Sequence, residues 1–247
     1  LGANGAGKST LLSVISGILE PTKGSIKILH QDMTPKTKRK LRAKVGLVFQ
    51  EPDNQLFMPS IWEDVAFGPL NMGLPEEDVR QRVDDALEIV GLPHLRDKPP
   101  HHLSVGEKKR AAIATVLAMR PKILILDEPT AHLDPKSRAD FIKFLAKLHK
   151  QGDLTLITAT HDVDSVPLLA DRAYVLNKGR ITAKGTVTSV FSDTATLTKA
   201  RLSPPTVTRL FQQLPWFTAA PDTQALPLTI KEAVKILQQL GARGNDA

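Results

Sequence analysis

Short apolar runs rich in β-branched residues, Ser25 to Leu29, Val45 to Phe49, Ile123 to Leu126 and Thr155 to Thr160, read as strands separated by longer segments with helical spacing. A continuous run such as ILIL suits a strand buried on both faces, and the alternation of strand and helix favours a mostly parallel sheet, so the fold class is α/β. Between Pro52 and Ser104 the strand signal stops. Helical patterning punctuated by Pro69, Gly73, Pro75, Gly91, Pro93, Pro99 and Pro100 predicts an inserted helical subdomain. RAYVLNKGRITAKG predicts a hairpin turning about Asn177, Lys178 and Gly179. From about Ser192, Pro204, Pro205, Pro215, Pro221 and Pro227 break the chain into short pieces, and a last helix is expected in TIKEAVKILQQL. There Thr229 and Glu232 have capping-box spacing, and Ile230, Ala233, Val234, Leu237 and Leu240 make one apolar stripe, expected to pack inside a small C-terminal domain.

The composition, 41% hydrophobic over 247 residues, is that of a globular chain able to bury a substantial core. The absence of cysteine excludes a disulfide framework, a thiolate zinc site and a cysteine nucleophile, and is what a reducing compartment would favour. The longest apolar run, Ala111 to Met119, falls well short of the ~18–20 residues a membrane span needs. The sequence LGANGAGKST at the start has no signal-peptide pattern.

A net charge of +7 raises the question of a nucleic acid or lipid partner. The densest basic stretch, Lys36, Lys38, Arg39, Lys40, Arg42 and Lys44, has Leu41 and Val45 at helical spacing and reads as a solvated helix face. Aromatic residues make up 4% of the chain and none interleaves with it, so no base-stacking surface is expected.

Chemistry concentrates in two motifs. Gly2-Ala3-Asn4-Gly5-Ala6-Gly7-Lys8-Ser9 fits G-x-x-x-x-G-K-[ST] and runs straight into helical LLSVISGI. Glycines let backbone N–H groups wrap a β-phosphate, the helix start adds positive potential, Lys8 reaches the β- and γ-phosphates, and Ser9 is a ligand for Mg²⁺. Gly2, Asn4, Gly5, Ala6, Gly7, Lys8, Ser9 and Thr10 are therefore the candidate triphosphate-binding residues. KILILDEP is an apolar strand delivering Asp127 and Glu128 at its C-terminal end, where open α/β sheets bind ligands. Alternation along the strand assigns them different tasks, Asp127 toward Mg²⁺ and Glu128 as general base toward the γ-phosphate.

With four further motifs in order, the chain resembles the ATP-binding cassette (ABC) ATPases, a P-loop, RecA-like fold. Gln50 resembles the glutamine of the Q-loop, which touches Mg²⁺ and the attacking water and senses the membrane partner. LSVGE, Leu103 to Glu107, resembles the signature, AHLD, Ala131 to Asp134, the D-loop, and His161 in TATHD the switch histidine. The resemblance implies ATP and Mg²⁺ as cofactors. It also implies a head-to-tail pair of cassettes in which Ser104, Gly106 and Asp134 of one chain complete the site of the other. Independently of the likeness, Ser104 and Glu107 form an S-x-x-E capping box, a helix start suited to an anion. Val105 and Glu107 depart from the usual LSGGQ: Val105 removes a permissive backbone position, and Glu107 adds negative charge close to a triphosphate unless it folds back onto its own cap. His132 in the D-loop reads as an exposed side chain. His101 and His102 read as a solvated extended linker, with no metal assigned.

EPDNQLF, Glu51 to Phe57, together with Lys108-Lys109-Arg110 and LAMRPKILILDEPTAHLDP, resembles the ATPases of energy-coupling factor (ECF) transporters and related cobalt and nickel uptake systems. PPTVTRLFQQL and LPLTIKEAVKIL resemble that subfamily's C-terminal appendage. The organisation implied is an ATPase core in 1–51 and 116–192, a helical subdomain carrying the signature in 52–115, and a dimerisation appendage in 193–247. The implied partners are a second ABC ATPase, as homodimer or heterodimer, a membrane T-component and a substrate-binding membrane subunit, with no nucleic acid. The implied place is peripheral, on the cytoplasmic face of the cell membrane, and the implied cargo is cobalt, nickel or a vitamin. In the family several strands precede the glycine loop, one bearing the aromatic residue that stacks on adenine, so the sequence reads as truncated at its N-terminus. A non-transport ABC ATPase and an ATP-switched nucleic-acid-binding module are the alternatives. The short spacing from Gln50 to Ser104 leaves no room for the long coiled coil of chromosome-organising members.

Overall fold

The computed structural model describes residues 1–150, 154–218 and 225–244. These fall into two compact units, residues 9–159 and residues 1–8 with those from Thr160 onward. No helix among the described residues is long and apolar enough to cross a membrane.

In the 9–159 unit, helix α1 (Lys8–Ile15) runs in from the glycine loop and buries Leu12. The expected strand at Ser25 to Leu29 shrinks to a ribbon of β1 (Lys27–Ile28) antiparallel to β2 (Gln31–Asp32). Leu29 and His30 take positive φ of 49° and 64°, which turns the chain back on itself and ends the strand early. The basic stretch forms α2 (Lys38–Arg42), with Leu41 inside, its charges mostly outward and Lys38 Nζ 2.8 Å from Glu20. Val45 belongs to the following strand rather than to this helix.

The parallel sheet is β3 (Val45–Val48), β4 (Ile123–Asp127) and β5 (Thr155–Ala159), in that order. Val48 pairs with Leu126 and Leu126 with Thr158, so the segments leaving β3 and β4 emerge side by side. Leu124, Ile125 and Leu126 are at most 1% exposed, which explains the unbroken apolar run. Truncating any of them to Ala would cost about 2–5 kcal/mol.

Three helices follow β3 and pack on one another: α3 (Ile61–Asn71), α4 (Glu76–Val90) and α5 (Val105–Leu117). Ser60 caps α3 by accepting from the Glu63 N–H. Helix α4 starts on Glu76, Glu77 and Asp78, which suit the positive end of its dipole, and ends on Gly91 at φ 73°. Its Val79, Val83, Ala86, Leu87 and Val90 face inward. Helix α5 lies tight on β3 because Gly46 has no side chain. A Cβ there would sit 1.9 Å from Val116 Cγ1. Beyond β4, α6 (Pro135–Lys150) buries Phe141, Ile142, Leu145 and Leu148.

In the other unit, after the short α7 (Val166–Leu169), β6 (Arg172–Asn177) and β7 (Arg180–Thr186) form the expected hairpin. Its two-residue turn has Lys178 at φ 47° and Gly179 at φ 76°. Helices α8 (Val187–Ser192), α9 (Thr194–Lys199), α10 (Thr206–Gln212), α11 (Pro215–Thr218) and α12 (Ile230–Gly244) complete it. Phe211 and Phe217 meet edge to face at 5.0 Å in a small core with Ala233. The capping box of α12 is present: Thr229 Oγ1 accepts from the Glu232 N–H, and Glu232 Oε2 accepts from the N–H groups of Leu228 and Thr229. The stripe does not pack as one face. Ala233 is buried, whereas Ile230, Val234 and Leu237 are 77%, 46% and 48% exposed, and the Leu240 side chain lies outside the described residues.

Candidate functional site

The glycine loop is held by β6. Leu1 donates to the Tyr174 carbonyl at 2.7 Å and accepts from the Leu176 N–H at 2.7 Å, the bonding of a parallel bridge. Gly2 passes so close to this strand that a Cβ would lie 2.6 Å from the Leu176 carbonyl. The loop then turns through Gly5 and Gly7, at φ 77° and 98°, conformations open to glycine. The Ala6 carbonyl accepts from the Gly179 N–H. Lys8 Nζ donates to the carbonyls of Gly2 and Ala3 at 2.9 and 3.3 Å, folding over the loop it follows. Asn4 and, in the first turn of α1, Ser9 and Thr10 are exposed. In the same unit, His161 is exposed between Thr160 and Asp162, in a turn where the Asp162 N–H donates to Thr160 Oγ1 at 3.0 Å.

The 9–159 unit brings Gln50, Asp127 and Glu128 to the carboxyl end of its sheet. Asp127 ends β4, and its Oδ1 is buried without a hydrogen-bond partner among the described residues. A buried, unpartnered carboxylate oxygen is costly unless a cation or water meets it, so this residue fits a Mg²⁺ ligand, direct or through water. Glu128 is 7% exposed and stands at φ 45°, its N–H donating to the Ala159 carbonyl. The two carboxylates are therefore separated by a left-handed turn and not, as the sequence reading has it, by alternation along the strand. Such a backbone costs of order 1–3 kcal/mol in a non-glycine residue and is typical of functional sites. Strand β3 stops at Val48, so Gln50 is exposed in the segment beyond it rather than on the strand.

The signature forms the start of α5. Ser104 Oγ accepts from the Glu107 N–H at 3.4 Å, and Glu107 Oε2 accepts from Ser104 N and Oγ at 2.8 and 2.6 Å, a complete capping box. These donations, the hydroxyl's first, hold the Glu107 carboxyl below the ordinary range. A Cβ on Gly106 would meet only Leu133 Cδ2, at 3.8 Å, and its φ is not positive, so the chain itself does not require glycine there. In the D-loop, Asp134 Oδ1 accepts from the N–H groups of Lys136 and Ser137 at 3.0 Å each and caps α6. His132 is exposed as expected and lies 3.3 Å from Glu51. His101 and His102 are solvent-exposed as expected, but the segment is not extended: they sit on a 3₁₀ turn, Pro100–His102, that brings their rings edge to face at 4.3 Å.

Three residues of this end escaped the sequence reading. Gln55 Oε1 accepts from the Phe49 N–H, while Nε2 donates to the Ala112 carbonyl and Thr115 Oγ1. Asp64 Oδ1 accepts from the N–H groups of Phe57 and Met58, and burial raises its carboxyl. Lys109 is 5% exposed on α5 and donates to the Gln50 carbonyl at 3.2 Å. The only sequence signal for Gln55 and Lys109 was membership of motifs already noticed, and Asp64 had none.

A glycine loop opening a helix, a buried strand ending in two carboxylates and a capped helix start define a cassette that binds a nucleoside triphosphate. The ABC transporter family model matches residues 1–131, more than half the chain, and the chain belongs to that family. It is 50% identical over 214 residues to a putative ABC transporter ATP-binding protein of Methanosarcina mazei, covering 87% of this chain and 65% of the relative. The chain thus spans about two thirds of that protein's length. It is 52% identical over 216 residues to the ECF transporter ATP-binding protein EcfA of Methanocaldococcus jannaschii, covering 87% of this chain and 77% of that one. Among solved structures, cbiO1 from Clostridium perfringens, part of the ABC transporter complex cbiONQ, matches with TM-score 0.73 and 48% identity over 81% of each chain. A dimeric cassette in a post-hydrolysis state with ADP and Pi matches with TM-score 0.65 and 29% identity, over 75% of this chain and 83% of that one.

Proposed function

We propose that this chain is the ATP-hydrolysing subunit of an ECF-type importer, acting as a pair of cassettes at the cytoplasmic face of the membrane. The observation that carries the reading is the carboxyl end of β4, where a buried Asp127 oxygen lacks a hydrogen-bond partner among the described residues beside a strained, buried Glu128. Gly2, Asn4, Gly5, Ala6, Gly7 and Thr10 wrap the phosphates with backbone N–H groups and the start of α1, and Lys8 turns from its loop carbonyls to the β- and γ-phosphates. Ser9, Asp127 and Gln50 hold Mg²⁺, which when bound neutralises charge on the phosphates. Glu128 takes the proton of the attacking water, and His161 stabilises the γ-phosphate. Ser104 and Gly106 present the start of α5 to the nucleotide of the other protomer, with Asp134 beside them; Gly106 has no internal need to be glycine, which suits close approach from outside the chain.

The surface for a T-component is the apolar patch near the EPDNQLF segment. There Phe57, 63% exposed, meets Phe67 edge to face at 5.2 Å, and Leu70 and Met72 are exposed. The appendage from residue 193 helps hold the dimer, with the exposed Ile230, Val234 and Leu237 available to a second cassette. The cargo is a cobalt or nickel ion, with a vitamin the second choice, on the likeness to cobalt and nickel uptake ATPases. It crosses through the membrane subunits and does not touch this chain.

The test is Glu128→Gln in the full chain. It should keep nucleotide binding, lower turnover by at least about 100-fold, and elute as a dimer with Mg-ATP. A variant that stays monomeric in Mg-ATP, or turns over normally, overturns the reading.

A further inference from the structure

Lys109 has no role in the function argued so far, yet it is an ammonium buried to 5% exposure on α5, on the side where the buried Ala112, Ile113 and Val116 follow it at helical spacing. A methionine of similar volume would cost the core less, because a buried charge loses hydration that only good partners offset. Its partners all lie at the carboxyl end of the sheet. Nζ donates to the main-chain carbonyl of Gln50 at 3.2 Å. Lys109 lines a mainly apolar pocket with Phe49, Ile113, Leu126 and Phe141, and Asp127 lines the same pocket. Burial lowers the ammonium's pKa, while the charges of Glu51 and Glu128 raise it. Glu51 in turn pairs with His132 of the D-loop.

The geometry points to Lys109 as a positioning residue for hydrolysis: it fastens the backbone of Gln50 to the signature helix and sets a fixed positive charge among the carboxylates that include Glu128. Holding the Gln50 carbonyl fixes where that side chain leaves the backbone. The carboxylates of Glu51 and Glu128 both act on that charge, so it attracts each of them toward the same end of the sheet. One buried cation thereby joins the starts of the Q-loop and signature helix to the strand-end carboxylates. This inference rests on the roles proposed above for Gln50 and Glu128.

The experiment compares Lys109→Met, Lys109→Arg and Glu128→Gln with wild type in the full chain, measuring thermal midpoint, ATP affinity and steady-state hydrolysis. Lys109→Met should fold with an unchanged or raised midpoint and bind ATP within about twofold of wild type, but lose at least about tenfold in kcat. Lys109→Arg, which restores charge and donor, should recover at least half of that loss on a logarithmic scale. Four outcomes overturn the proposal: a Lys109→Met kcat equal to wild type, a loss of ATP affinity as large as the loss of kcat, no recovery with Arg, or a Lys109→Met protein that melts early or does not fold. Normal turnover in Glu128→Gln identifies failure of the underlying reading instead, because that variant keeps Lys109 and its bond to the Gln50 carbonyl and removes only the proposed base.

Discussion

Gln55 is the residue whose loss should separate packing from chemistry most cleanly. Its amide is oriented by its partners: the Phe49 N–H can only donate, so Oε1 faces it, and the Ala112 carbonyl can only accept, so Nε2 faces that. The bond at 3.1 Å closes the segment after β3 on itself, and the two at 2.8 Å pin that segment to α5. Each is worth about 1 kcal/mol net, and a buried partner left unpaired costs about 1–3 kcal/mol. Gln55→Ala should therefore destabilise by about 2–3 kcal/mol, or roughly 4–12 °C in Tm for a chain of this size. Gln55→Glu, though isosteric, should be worse by a further 1–2 kcal/mol or so, because it sets a carboxylate oxygen against the Ala112 carbonyl. The introduced carboxyl is favoured in its protonated form in the folded state. Its deficit should be smallest at low pH and grow as pH rises through its raised folded pKa. Denaturant unfolding of the three proteins at pH 5 and pH 8 checks both the order and the sign. An alanine variant as stable as wild type, or a Glu variant more stable than the alanine one at pH 8, would show that these bonds do not hold the segment.

Two further outcomes follow from the signature helix. Gly106→Ala should fold at least as stably as wild type, since the Cβ meets only Leu133 and alanine is the better helix former by up to about 1 kcal/mol. The same substitution should weaken Mg-ATP-dependent dimerisation of the Glu128→Gln protein by at least about tenfold, measured by analytical ultracentrifugation; unaltered dimerisation refutes the proposed contact. Because hydrogen bonds from Ser104 hold the Glu107 carboxyl below its usual range, the stability it lends is full above ordinary carboxylate values and is lost as pH falls through the folded pKa. Glu107→Ala should therefore cost about 0.5–2 kcal/mol at pH 7, with the gap to wild type closing in acid. A gap constant with pH, measured by urea unfolding, would deny the capping role.

Local chemistry was legible in the linear sequence wherever it depends on near neighbours. The glycine loop and its helix, the unbroken apolar run of β4, the hairpin at Lys178 and Gly179, and both capping boxes follow from steric and hydrogen-bonding demands within a few residues. What depends on distant partners was not legible. The split between Asp127 and Glu128 comes from a left-handed turn whose N–H reaches Ala159 across the sheet, and the short β1 from a turn that residue types alone did not announce. Lys109 and Gln55 appear in the sequence only as members of motifs, and their individual roles emerge when α5 packs over the end of β3, because a buried charge or amide gains its meaning only from the groups folding sets against it. Residue type and spacing thus named the candidates for phosphate chemistry, whereas which of them are held, buried or charged against one another was decided by the packing of helix on sheet.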